Sequence, residues 1–87
     1  MDTIQNLRSQ IDIINLDLCR LLIERKKIVE KIGNQKRVLG INVYDRTREA
    51  LIYEMLKKNY TVDEVKFLEP IFKEIMKMSR DVQLEHK

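Results

Sequence analysis

The sequence has no tryptophan, one cysteine, one proline, two glycines and one histidine among its 87 residues. Each scarcity excludes something. A lone Cys19 cannot close an internal disulfide, which suits a reducing compartment, and its place in the apolar run LDLCRLLI reads as a small buried hydrophobe. With His86 the only histidine, and that one in the tail, no metal-ligand cluster is expected. No convincing nucleophile with a base is evident, and Gly33 and Gly40 stand too far apart to make a phosphate-cradling loop. No apolar run reaches the length of a bilayer span, and the start MDTIQNLRSQ lacks a basic segment followed by an apolar one. Neither a membrane nor a cofactor is therefore expected, and the expected address is cytoplasmic. Any catalysis has to rest on binding and electrostatics.

What the chain has in quantity is periodic apolar residues, at 44% of the whole, and charge, at 36%. That mixture excludes disorder and suits one small helical domain with solvated faces. Ile4, Leu7, Ile11, Ile14, Leu18 and Leu21 alternate steps of three and four, and residues 3 to about 38 contain no proline, which predicts one long helix. At 1.5 Å per residue it would run roughly 54 Å, whereas a compact globule of this size has a radius of gyration near 12 Å. Such a helix projects from a monomer, and its apolar stripe calls for a second chain, most simply in a symmetric homodimer.

Gly40 and Asn42 mark a connector. Asp45 is the expected N-cap of a second helix over about 46–58, with Arg48, Ile52 and Met55 on its seam and Leu51 and Leu56 alongside. Thr61-x-x-Glu64 has capping-box spacing and starts a third helical segment over about 62–84, with a break expected near Pro70 and fraying expected in the tail LEHK. Its seam reads Phe72, Ile75, Ser79, Val82. The fold class is all-α, with one long and two shorter helices.

Polar residues interrupt all three seams. Arg25 stands where the first stripe requires an apolar residue, Arg48 stands on the second with Asp45, and Ser79 stands on the third. A guanidinium facing a core is costly unless an anion meets it. An internal ion pair, such as Arg25 with Glu49, would serve; a polar cavity shared by the three helices would account for all the interruptions together. Lys36 follows Arg25 by eleven residues, three turns and about 20°, so both cations share a face and their long side chains can hold a small dianion between them. Ser79 and Gln83, four apart, stack on one face and offer a hydroxyl and an amide as neutral donors.

In order and nearly in spacing, Leu7-Arg8, Leu22-Ile23-Glu24-Arg25, Ile32-Gly33-x-x-Lys36, Asp45-x-x-Arg48-Glu49 and EPIFKEIMKMSRDVQ (69–83) resemble the all-helical chorismate mutases of the AroQ class. The resemblance implies an intertwined homodimer with two active sites, converting chorismate to prephenate on the way to phenylalanine and tyrosine. It further implies that Arg8, Arg25 and Lys36 bind the substrate's carboxylates, that Lys36 and Gln83 meet its ether oxygen, and that Glu49 and the Asp45 region hold the ring hydroxyl. Arg48 and Ser79 would complete the polar contacts, and Arg8 would come from the partner subunit.

Helix geometry favours that last point independently. Arg8 and Arg25 are 17 residues apart, about 25 Å along one helix, too far to meet one small ligand. Two such helices paired antiparallel between residues 16 and 17 place Arg8 of one opposite Arg25 of the other.

Two other readings use the same residues. One is an isochorismate pyruvate-lyase on the same scaffold, against which Glu49 speaks because its carboxylate suits the hydroxyl of chorismate. The other is a non-catalytic helical dimer presenting the basic stretch KKIVEKIGNQKR (26–37) to nucleic acid or a protein. The inward face of Arg25 and the absence of interleaved aromatics in that block oppose a nucleic-acid role.

Overall fold

The computed structural model describes residues 3–85, so Met1, Asp2, His86 and Lys87 lie outside it, the last two being half of the tail expected to fray. Three helices follow one another: α1 (Ile4–Leu39), α2 (Arg46–Asn59) and α3 (Val62–Glu85). Local chemistry accounts for their ends. Thr3 caps α1 by accepting a hydrogen bond from the Asn6 amide at 3.1 Å. Gly40 ends it at φ 69°, a left-handed conformation that only glycine adopts without strain, and lets the Ile41 amide donate to the Lys36 carbonyl at 2.8 Å. Asp45 Oδ1 accepts from the Arg48 amide at 2.9 Å and starts α2. At the head of α3 the Thr61 hydroxyl accepts from the Glu64 amide (3.2 Å), while the Glu64 carboxylate accepts from the Thr61 amide (3.0 Å).

The break expected near Pro70 is absent, since α3 runs through that residue without interruption. Proline removes one N–H and crowds the carbonyl four residues back, here that of Lys66. Pro70 and Lys66 are both exposed, so the disturbance falls on the solvent side of α3.

Both α1 and α2 pack on α3. The buried apolar residues are few: Val29 on α1, Leu56 on α2, and Val65 and Met76 on α3. Gly33 is buried with them, where α1 lies close against Gln83 of α3. On α2 the seam is turned from its expected position, with Leu56 only 1% exposed and Met55 41% exposed. The face carrying Glu49, Ile52 and Leu56 is the one laid against α3, and it leaves Met55 a quarter-turn away.

The molecule measures 57 × 27 × 15 Å with a radius of gyration of 16.3 Å, well above the roughly 12 Å of a compact chain this long. The excess is the first half of α1. Ile4, Leu7, Ile11, Ile14, Leu18 and Leu21, the whole stripe read from the sequence, are between 45% and 69% exposed. Cys19 is exposed too, contrary to the expectation of burial, because among the described residues no other element covers that stretch.

Candidate active site

Where the second half of α1 meets α3, and the connector meets the start of α2, the helices enclose a cavity of about 250 Å³. Arg25 and Lys36 reach it from α1 and Arg48 and Glu49 from α2, with Asp45 at the cap, and Ser79 and Gln83 from α3. Ile28, Ile32, Val43 and Ile52 supply apolar wall between the charges. Seven of the eight residues singled out in the sequence therefore line one space. Arg8 does not: it lies near the far end of α1, exposed.

The internal pairing of Arg25 with Glu49, left open by the sequence, is not the one formed. Glu49 instead receives Arg80, whose Nη1 donates to both carboxylate oxygens at 2.7 and 2.6 Å. Arg80 was not anticipated from the sequence. It follows Ser79 by one residue, which points it about 100° round the helix, and its partner is 31 residues distant in the chain. The available signal was that Met76, Arg80 and Gln83 share a face at steps of four and three.

Arg25 donates a short hydrogen bond to the Ser79 hydroxyl, which in turn donates to the Ile75 carbonyl at 2.8 Å. In this arrangement the Ser79 hydroxyl accepts from Arg25 and turns its one proton to the Ile75 carbonyl. Lys36 Nζ donates to the Val43 carbonyl at 2.8 Å, tying the connector down and leaving two of its three N–H groups for another acceptor. Gln83 Nε2 donates to the Ser79 carbonyl at 3.2 Å, while its Oε1 is buried without a partner. An orphaned buried acceptor costs about 1–3 kcal/mol.

Charge decides the character of the space. Four cations (Arg25, Lys36, Arg48, Arg80) and two carboxylates (Asp45, Glu49) line it, a surplus of two positive charges. Both carboxylates are engaged, Asp45 in capping α2 and Glu49 with Arg80. Arg25 meets a hydroxyl rather than a carboxylate. Its pKa is lowered below the ordinary arginine value, first by burial and then by the nearby positive charge of Arg48. Two guanidiniums that repel each other across a cavity constitute a site for an anion.

Gly33 sets the distance between α1 and α3 at this point. A Cβ on it would come to 3.0 Å from Gln83 Cα and 3.1 Å from Gln83 Cγ, and the first of these is backbone that cannot swing aside. Gly33→Ala should therefore displace α3 around Gln83, costing about 1–3 kcal/mol of stability. Thermal denaturation alongside steady-state kinetics checks this, with kcat expected to fall more than KM rises.

An all-helical frame holding a polar cavity with two excess positive charges, walled between those charges by aliphatic side chains, defines a class of protein suited to a small anion with apolar parts. Comparison with known sequences says which. The chain belongs to the chorismate mutase type II family, whose model matches residues 7–84, a span that includes Arg8 and every cavity residue. It is similar to the chorismate mutase of Methanocaldococcus jannaschii, with 30% identity over 67 residues covering 74% of this chain and 68% of that protein. The family is one of isomerases, and no described helix of the chain is long and apolar enough to cross a membrane.

Proposed function

We infer that the cavity binds chorismate, a dianion, and that the chain converts it to prephenate. The observation that carries this reading is the charge balance: a surplus of two positive charges, with both local carboxylates already engaged. The reaction is an intramolecular rearrangement with no covalent intermediate and no required proton transfer. Two physical effects then suffice. Clamping both carboxylates selects the compact conformer in which the bond-forming carbons face each other. Donors at the ether oxygen stabilise the negative charge that grows there as the carbon–oxygen bond breaks.

Each side chain has a place in that scheme. Arg25, fixed by Ser79, and Arg48 take carboxylate oxygens. Lys36 directs its two remaining N–H groups to a carboxylate and to the ether oxygen, and Gln83 offers the ether oxygen its second amide proton. Glu49 and the Asp45 region accept the ring hydroxyl. A volume of about 250 Å³ suits a small ring compound, being just below the range for drug-sized ligands.

The missing cation is Arg8, and a homodimer supplies it. The exposed stripe from Ile4 to Leu21 is the surface such a dimer would bury, and it runs on into an apolar groove between α1 and α3 lined by Leu22, Ile23, Ile75, Met78 and Val82. Antiparallel pairing of two α1 helices about residues 16 and 17 brings the partner's Arg8 to Arg25 and covers Cys19. A cytoplasmic location accords with that single thiol.

Given chorismate, the purified protein should consume it with loss of its ultraviolet absorbance and release prephenate; given isochorismate, it should release little pyruvate. Comparable pyruvate release would favour the lyase, and no turnover of either would leave a binding module.

A further inference from the structure

We propose that Arg80 is a positioning residue that holds the Glu49 carboxylate away from Arg25 and Arg48, so that these two guanidiniums stay available to the substrate. The inference rests on the cavity's being the chorismate site and adds to that site a residue which does not itself touch substrate.

The geometry points to this role from three sides. Glu49 follows Arg48 in α2 and lines the same cavity as Arg25, so it is the obvious counter-ion for either. Asp45 is engaged with the Arg48 amide, so no other carboxylate in the cavity competes for that place. Both Glu49 oxygens are instead drawn to Arg80, at 2.7 and 2.6 Å. The Arg80 guanidinium is itself braced by the Tyr44 ring in the connector, 5.1 Å from its centroid. Arg80 therefore joins α3, α2 and the connector through Glu49 and Tyr44.

Without that hold, a carboxylate beside two mutually repelling cations moves to them. Glu49 would then neutralise part of the charge that the substrate needs, and each binding event would have to displace it. Arg80 prevents an internal competitor, which is a different task from supplying positive charge. The pKa of Arg80, raised above the ordinary arginine value chiefly by its hydrogen bonds to Glu49, agrees with a strongly engaged pair.

The two tasks separate in a double-mutant cycle on the full chain. Arg80→Met keeps the apolar stem and removes the guanidinium. KM for chorismate should rise on the order of tenfold, a coupling expected of groups in direct contact, with kcat changing less. Adding Glu49→Gln removes the competing charge, so the double variant should have a lower KM than Arg80→Met and about that of Glu49→Gln alone.

If Arg80 binds substrate directly, the two substitutions add and Glu49→Gln rescues nothing, which overturns the proposal. So does an unchanged KM in Arg80→Met. Calorimetric titration of the same four proteins with succinate, a small dicarboxylate, gives a readout independent of turnover: weaker binding in Arg80→Met, restored by Glu49→Gln. A wild type that binds succinate with this pattern but leaves chorismate intact would refute the substrate and keep the positioning role. Additive succinate affinities in a chorismate-active protein would do the reverse.

Discussion

Lys36→Ala should lower kcat by roughly two to three orders of magnitude, the usual cost of removing one preorganised donor from a developing oxyanion. Lys36 also holds the Val43 carbonyl, so a loosened connector could mimic part of that loss. Lys36→Gln separates the two effects, because a glutamine amide can still donate to Val43 but carries no charge. If the positive charge stabilises the breaking bond, Lys36→Gln stays severely impaired in kcat while the helical circular dichroism and melting temperature of both variants remain near wild type. Turnover of Lys36→Ala within a few-fold of wild type would refute the role given to this lysine.

The second large effect concerns two arginines with opposite surroundings. Arg25→Ala removes a half-buried guanidinium from the cavity, and kcat/KM should fall by about two to three orders of magnitude, the range for truncating one partner of a desolvated charge pair. Ser79 would keep its bond to the Ile75 carbonyl, so the loss would report the cation rather than a collapsed helix. Arg8 is solvent-exposed and does not line the cavity of its own chain. A site made by one chain predicts that Arg8→Ala is silent. A site shared between two chains predicts a loss of similar size to that of Arg25→Ala. Steady-state kinetics on the two variants, with dimer integrity followed by sedimentation, distinguishes these outcomes.

How much of this was legible in the sequence follows from how local each feature is. The caps at Asp45 and at Thr61 with Glu64 are decided within four residues, and the glycine stop at Gly40 by one backbone angle, so side-chain chemistry and spacing suffice for them. The convergence of Arg25, Lys36, Ser79 and Gln83 was legible for a similar reason. Each breaks or continues an apolar stripe at helical spacing, and a stripe faces its neighbour.

The failures all involve facts that one segment does not contain. Pro70 alone predicts a break in α3, but whether the helix runs on depends on which side of it the proline faces, and that is a property of packing. Met55 and Leu56 differ by one residue, and which of them is buried depends on how α2 is rotated against α3. Spacing puts Arg80 on the face of Met76 and Gln83, but its role lies in Glu49 on another helix and in the Tyr44 ring of the connector. Cys19 was placed in a core that this chain alone does not build.

The central claim is that a cavity with two excess positive charges in one chain is completed by an arginine of another, and mixing inactive variants tests it most directly. In a dimer formed from one Arg8→Ala chain and one Arg25→Ala chain, one site carries both substitutions and the other carries neither. After unfolding and refolding an equimolar mixture, half of the dimers are mixed and each has one intact site, so roughly a quarter of wild-type turnover should return with wild-type KM. Verified heterodimers that remain as inactive as their parents would contradict the account.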